Sequence, residues 1–448
     1  MNYEMRCEVP VLSGYDLVVV GGGPGGIASA VTAARHGVKT VLIERYGQLG
    51  GMAVVGEVQP FMPNHINHKT LDKPFYTDWL RAMRPYMPED TPPLSAELGE
   101  WRDLRISKEA AMLAAEDLCL AAGVKILYHH TLFDVKRENE KLTAAILHGK
   151  DGLLAVTGKV FIDSTGDGDL AAKAGCDFEF GDGKEDCQPM TLCFKLSHVD
   201  DARRLPGDEL TRLFQEAKKD GTITNVPRDG VGEYHSLKSD IVHFNSTRVA
   251  GKNPLKAAEL SEAEMEARRQ LRELFHFLRK RAPGYEKAEI HSIASTIGVR
   301  ESRRIMGLSY LTIEDYDAVR KFPDAIARVN YPVDIHNSKD GGFTFRPLPD
   351  NDWYEIPYGC IVARNMTNLL LASRCISTDH IVNSSLRVMP VICSLGQAAG
   401  MAAAMAVKVG KDPSALDGKA VRGGLIEHGA KLGPFEVENT KRTNWDQP

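Results

Sequence analysis

The chain has little that would tie it to nucleic acid, to a metal or to a disulfide frame. Aromatics make up 7% of its residues, and the formal net charge is −5, from 55 Lys and Arg against 60 Asp and Glu. Neither a basic surface nor aromatic and basic interleaving is present, so no nucleic-acid partner is expected. The eight cysteines are scattered, with no CxxC pair. That argues against a zinc site, a disulfide frame or an iron–sulfur relay, and reads as the reduced thiols of a cytoplasmic protein. His65 and His68 share an HxxH spacing, but Pro63 and the lack of nearby acids speak against a metal pair there, and no metal is expected. His129 and His130 end a strand and read as ordinary. The N-terminus carries Glu4 and Glu8 and no apolar core, so no signal peptide is expected. Only residues 388–407 form an apolar run about long enough to cross a bilayer. That run holds Ser394, Gln397, two glycines and many alanines. It reads as a helix buried inside the protein, and no membrane partner is expected. There are no internal repeats and no low-complexity tract.

What is present is concentrated in residues 16–52. An apolar run, Leu17 to Val20, reads as a buried parallel strand. It enters Gly21-x-Gly23-x-x-Gly26, followed by a small-residue helix over 27–36 and a second apolar strand over 40–43 that ends in Glu44. In such a β-α-β unit Gly21 permits the tight turn, Gly23 lets the backbone approach a pyrophosphate, and Gly26 lets helix and strand pack closely. The helix N-terminus offers N–H groups to phosphate, and Glu44 can accept ribose hydroxyls. A second glycine pair follows at once, in Arg45-x-Gly47-x-x-Gly50-Gly51-Met52. A nicotinamide domain has no need of it; a longer FAD does, because it must pass close to backbone there.

The 448 residues are enough for two domains. Residues 54–63 read as irregular, 69–85 as a surface helix and 85–93 as a Pro-rich linker. Ser107 is a fitting N-cap for a helix to Ala122, with Ala110, Leu113, Ala114 and Leu118 at helical spacing. Residues 124–127 make a third parallel strand. Residues 131–137, 142–148 and 153–162 make a three-stranded meander. The turn Asp163-Ser-Thr-Gly-Asp-Gly-Asp169 then leads into another helix start, and would lie along the same crevice at the strand ends. Residues 186–354 change character and include a charged helix over 261–281. Residues 368–373 read as a buried strand and 374–383 as a loop, before the small-residue helix.

The run of motifs DLVVVGGGPGGIASA, LIERYGQLGGM, FIDSTGDGDLAAKAG, GVRESRRIMG, EIPYGCIV, NLLLASRCIS and SLRVMPVICSLGQAAGMAAA resembles the FAD-dependent oxidoreductase family of glutathione-reductase-type flavoproteins. The resemblance covers residues 16 to about 407 in order. It implies an α/β fold: a Rossmann-like FAD-binding domain with a β-meander (1–185 and 355–430, discontinuous), a mixed α+β substrate or cap domain (186–354), and a tail (431–448). It implies non-covalent FAD, with Gly21, Gly23, Pro24, Gly25 and Gly26 at the pyrophosphate and Glu44 at the adenosine ribose beside Arg45. Gly50, Gly51 and Met52 would line the ribityl and flavin path, and Thr165, Gly166 and Asp167 the adenosine half. Arg374 and Ser377 would close over the ribityl chain, while Leu386, Arg387 and Met389 would pass the flavin's pyrimidine end. Many relatives read roughly Thr-His-Glu-Ala-His-Gly-Ser ahead of SLRVMP. Here Ile381 and Asn383 stand where that pattern has Glu and the second His, and His380 is kept.

The chemistry expected is hydride transfer between a C–OH or C–NH bond of a small polar substrate and FAD. Reduction of an activated double bond and a flavin electron-transfer subunit are the alternatives. No second GxGxxG is visible, so the electron partner is expected to be oxygen, a quinone or a carrier protein. A homo-oligomer is left open. Either direction needs an acid or base, and histidine can serve as both near pH 7. His380, in the loop ahead of the flavin helix, ranks first, and His336, at the end of a β-like stretch, second. Arg300, Arg303 and Arg304 fall within five residues. With Glu301 as partner they read as a solvated helix face; alternatively their forks clamp a carboxylate, which makes Arg303 a catalytic candidate.

Overall fold

The computed structural model describes residues 7–59, 61–66, 69–89, 91, 106–183, 186–337, 342–349 and 351–434. His68 and residues 90, 92 and 93 of the linker lie outside them, as does most of the 431–448 tail.

The apolar runs become a five-stranded parallel sheet in the order Leu369–Leu371, Val160–Asp163, Leu17–Val20, Thr40–Ile43, Lys125–Leu127. The four strands other than Lys125–Leu127 are buried at every residue, as a parallel sheet covered on both faces requires. Leu17–Val20 sits centrally, and the chain leaves it toward one neighbour and returns on the other side. The carboxyl ends of the strands on either side of that switch point open into one crevice. Helix Pro24–Arg35 covers one face and crosses Met389–Val409 closely. A Cβ on Gly396 would lie 2.2 Å from the Gly25 carbonyl oxygen, and one on Gly400 2.4 Å from that of Ser29. Met389–Val409 is long and apolar enough to cross a membrane, and it is mostly buried as the core helix of this sheet.

Three local expectations change. The last meander strand, read as 153–162, is two strands: Gly152–Thr157 stays in the meander with Thr131–Glu138 and Lys141–Gly149, while Val160–Asp163 joins the parallel sheet. The break falls at Gly158, where a Cβ would lie 2.7 Å from Val18 Cγ2. The surface helix read over 69–85 is the shorter Phe75–Met83, whose Trp79 is fully buried and donates from Nε1 to the Ala111 carbonyl at 3.0 Å. Its partner Lys108–Ala121, capped by Ser107 as expected, turns Ala110, Ala111, Ala114, Ala115 and Cys119 inward and leaves Leu113 exposed. Finally, the loop before the small-residue helix contains a short helix, His380–Leu386, because the Asp379 carboxylate accepts the Val382 N–H at 2.7 Å as an N-cap.

A second hydrophobic core gathers residues between Met190 and Ile297. It lies under a four-stranded antiparallel sheet, in the order Glu233–His235, Val242–Phe244, Phe194–Ser197, Glu289–Ile293. Helix Ala257–Arg281 turns Ala263, Ala267, Leu271, Leu274, Phe277 and Leu278 into this core and keeps its charges outside. Ile305, Leu311, Tyr316, Val329, Val333, Leu348 and Tyr354, placed with the substrate domain by sequence, lie in the first core.

Candidate active site

Gly21, at the end of the central strand, has φ 103°, and a Cβ there would lie 2.3 Å from the Ser164 carbonyl oxygen. Only glycine meets both conditions. Gly25 and Gly26 serve packing, since Cβ atoms on them would lie 1.7 Å from the Ala372 oxygen and 1.8 Å from the Gly21 oxygen. Gly23 differs. It is the N-cap of Pro24–Arg35, and the nearest atom to a Cβ there would be Gly51 Cα at 3.8 Å. The helix has no side-chain cap and no acid in its first turn, which leaves its first N–H groups to the crevice. Glu44, 6% exposed, accepts the Gly22 N–H on Oε2 at 2.7 Å and the Tyr46 N–H on Oε1 at 2.9 Å. Burial raises its pKa. Gly50 donates its N–H to the Gly22 carbonyl at 2.8 Å and so ties the second glycine pair to the first.

The 163–169 turn is built around buried Asp163, which accepts from Thr165 N–H and Oγ1 and from Ala171 N–H. Asp167 is clamped rather than open: Arg374 Nη2 and Ser302 Oγ both donate to its Oδ1 at 2.5 Å. Arg303 donates to the Asp167 carbonyl and pairs with Asp169 at 2.8 Å, with its guanidinium 5.3 Å from the centre of the Phe178 ring.

One cavity of about 470 Å³ takes in the strand ends and the cap. Of the residues singled out by sequence, Gly21, Gly23, Pro24, Gly25, Glu44, Arg45, Gly51, Met52, Thr165, Gly166, Arg374, Arg387, Met389 and His336 line it. Gly26, Gly50, Asp167, Ser377 and Leu386 stand behind the wall. Ser377 is fully buried, and its Oγ has no hydrogen-bond partner among the described residues. His380 is not in the cavity wall either; its Nδ1 lies 2.7 Å from Oε1 of fully buried Glu301. The 300–304 segment is not a helix face. Arg303–Ile305 is a strand paired with Phe178–Phe180, and its arginines part company. Arg304 is buried against Glu301 at 2.7 Å and Arg303 holds the 163–169 turn, while Arg300 lines the cavity.

The cap side of the cavity holds residues with little sequence signal: Thr191, Arg228, Tyr234, Asn245, Tyr331 and Asp334. His336 Nε2 lies 3.6 Å from Asp334 Oδ2. Burial, and then the Arg300 cation, pulls the His336 pKa down to about 3. Burial works to raise the Asp334 pKa, but His336 and the Arg387 and Arg300 cations outweigh it, and the carboxyl is held below its ordinary range.

The model of the FAD dependent oxidoreductase family matches residues 16–425. The chain belongs to that family. It is 30% identical to the digeranylgeranylglycerophospholipid reductase of Thermoplasma acidophilum over 162 residues, 34% of this chain and 39% of the relative. Over 45 residues, 10% of each chain, it is 53% identical to glutathione reductase of Schizosaccharomyces pombe. The chain thus matches about two-fifths of the first relative's length. Among solved structures, a geranylgeranyl bacteriochlorophyll reductase-like protein of Thermoplasma acidophilum covers 94% of this chain and 85% of its own, at 15% identity and a TM-score of 0.45. A flavin-dependent brominase covers 92% and 83%, at 12% identity and a TM-score of 0.47.

FAD is the cofactor of this family, and the residues present fit it. The uncapped helix start at Gly23 and the side-chain-free approach at Gly51 suit a pyrophosphate. Glu44 keeps lone pairs for ribose hydroxyls. Arg374 Nε and Arg387 Nε are buried without a partner among the described residues, and both side chains line the cavity. Buried donors of this kind call for an acceptor.

Proposed function

We propose that the protein moves a hydride between a C–OH or C–NH bond of a small polar substrate and its FAD. One observation carries this reading: the dinucleotide crevice and the polar cap wall form a single cavity, so that a substrate and the cofactor would share it. Bound FAD supplies a two-electron acceptor. The rest falls to the chain. His336, neutral at physiological pH, is the base that accepts the substrate proton. Asp334, ionised, favours the tautomer with the proton on Nε2 and leaves Nδ1 as the acceptor. Arg387, just ahead of the N-terminus of Met389–Val409, supplies positive charge where negative charge accumulates. In the opposite direction, reduction of an activated double bond, Tyr234 would give the proton, since burial keeps its hydroxyl protonated. A flavin electron-transfer subunit has no use for such a wall.

The test is anaerobic. Holoenzyme is mixed with a panel of alcohols, amines and their acids, and bleaching of the flavin is followed. Photoreduced enzyme is then offered oxygen, quinones, nicotinamides and activated alkenes. Bleaching by a C–OH or C–NH compound supports the proposal. Reoxidation by activated alkenes, with no bleaching by any of the panel, reverses the direction.

A further inference from the structure

Three guanidinium groups, Arg228, Arg300 and Arg387, reach the cavity from separate parts of the chain. None has a carboxylate within 4 Å among the described residues. Their partners are neutral. Arg228 Nη1 donates to the Asn245 carbonyl at 2.5 Å. Arg300 Nη1 donates to the Pro189 carbonyl and Thr191 Oγ1, each at 2.6 Å. Arg387 Nη2 donates to the Asp334 carbonyl at 3.1 Å and to Gln188 Oε1 at 3.3 Å. These bonds fix the forks in place and leave their charge in place too. Among described cavity-lining residues, Asp334 is the one carboxylate at this end; Glu44 and Asp169 belong to the dinucleotide end.

Gathering like charges in a partly desolvated wall is costly without an anion to answer them. The cost is visible in the neighbours. Burial, then Arg387 and Arg228, lowers the Arg300 pKa to about 9, and Arg300 in turn helps hold His336 neutral. Tyr234, Val299 and Phe343 line the same cavity, and an apolar and aromatic lining suits a carbon skeleton rather than a hydrated inorganic ion.

Resting on the hydride-transfer reading, we infer that the substrate is a small organic carboxylate whose carboxyl group is held by the guanidinium forks of Arg300 and Arg228, with its apolar body on the Tyr234 and Phe343 side. A planar two-oxygen anion matches a guanidinium fork in bidentate geometry. It also completes the acid–base arrangement. An anion at Arg300 offsets that cation's share, second to burial, in keeping His336 neutral, so the base strengthens when the substrate's charge arrives.

The test uses FAD-loaded protein titrated with benzoate, with benzyl alcohol as its uncharged counterpart and with inorganic phosphate, read by the flavin visible spectrum and by thermal unfolding. Saturable perturbation and a raised Tm with benzoate, and neither with benzyl alcohol nor phosphate, are expected. Arg300→Gln weakens benzoate binding at least about ten-fold, roughly 1.4 kcal/mol, Arg300→Lys recovers part of it, and FAD affinity stays unchanged in both. Equal binding of benzoate and benzyl alcohol, tighter binding of phosphate, unchanged benzoate binding in Arg300→Gln, or loss of FAD from that variant would each overturn the assignment. The two readings separate cleanly. Benzoate binding with no flavin reduction by any hydroxy or amino acid removes the hydride-transfer reading and keeps the anion site. Flavin reduction by uncharged alcohols alone does the reverse.

Discussion

At the residue scale, Glu44 does two jobs. Its oxygens hold the Gly22 and Tyr46 N–H groups of two neighbouring loops, and its remaining lone pairs face the crevice. Glu44→Gln keeps the shape, loses the charge and turns one of the two backbone N–H acceptors into a donor, and is expected to weaken FAD binding about ten-fold or more by fluorescence titration. Unchanged affinity would confine Glu44 to the loops. The histidines divide differently from their order in the sequence. His380 stood first because it precedes the flavin helix. An Asp379 cap turns that segment into a helix and sets His380 against Glu301, away from the cavity, where Glu301 also holds Arg304 at 2.7 Å. With a substrate found by the anaerobic panel, His336→Asn is expected to slow flavin reduction by about 10² to 10⁴, while His380→Asn reduces near the parent rate. Rapid mixing measures both, and the opposite order would move the base to His380.

At the scale of elements, the Gly396 and Gly400 stripe on Met389–Val409 sets how closely that helix approaches Pro24–Arg35, and so where the phosphate loop lies. Gly396→Ala drives a Cβ into the Gly25 carbonyl. It should cost about 1–3 kcal/mol in urea unfolding of the apoprotein, and weaken FAD binding as well, because Gly25 moves. A fully stable variant with normal FAD affinity would show that the crossing has slack. The parallel sheet and its crevice were legible because apolar runs ending in Gly, Glu44 and Asp163 report both strand and ligand face. The Gly152–Thr157 and Val160–Asp163 pair was not: Thr157-Gly158-Lys159 interrupts the apolar run, but a glycine inside a strand pattern equally marks a bulge or bend within one strand. Arg228 and Tyr234 carried no signal at all: they reach the site through cap topology, over a separation in sequence that periodicity cannot bridge. Arg300 was visible as part of a cluster, but the extended backbone of 303–305 that sends the neighbouring arginines to different partners was not.

At the scale of the whole molecule, two cores meet over one cavity, and two buried imidazoles contribute to how the protein responds to acid. His243, 2% exposed in the cap sheet, has neither ring nitrogen hydrogen-bonded among the described residues, and burial lowers its pKa to about 3. His336 is lowered to about 3 as well. A folded-state pKa below the unfolded value of about 6.5 means stability that is present above that pH and is lost as pH falls toward 3. His243→Leu removes one of the two groups. In urea unfolding it should be more stable than the parent by about 1 kcal/mol at pH 7, and by more at pH 5. A variant that loses stability at both pH values would show that the imidazole is held by a partner after all. The central claim, however, is that the crevice along residues 21–26, 44–52 and 163–169 binds a whole dinucleotide flavin without a covalent link. Heat or acid release of the flavin from purified protein, followed by chromatography against FAD and FMN, tests it most directly. Intact FAD, one per chain and fully released, is the predicted result; FMN, flavin that stays with the precipitated protein, or no flavin from a folded preparation able to bind none would contradict it.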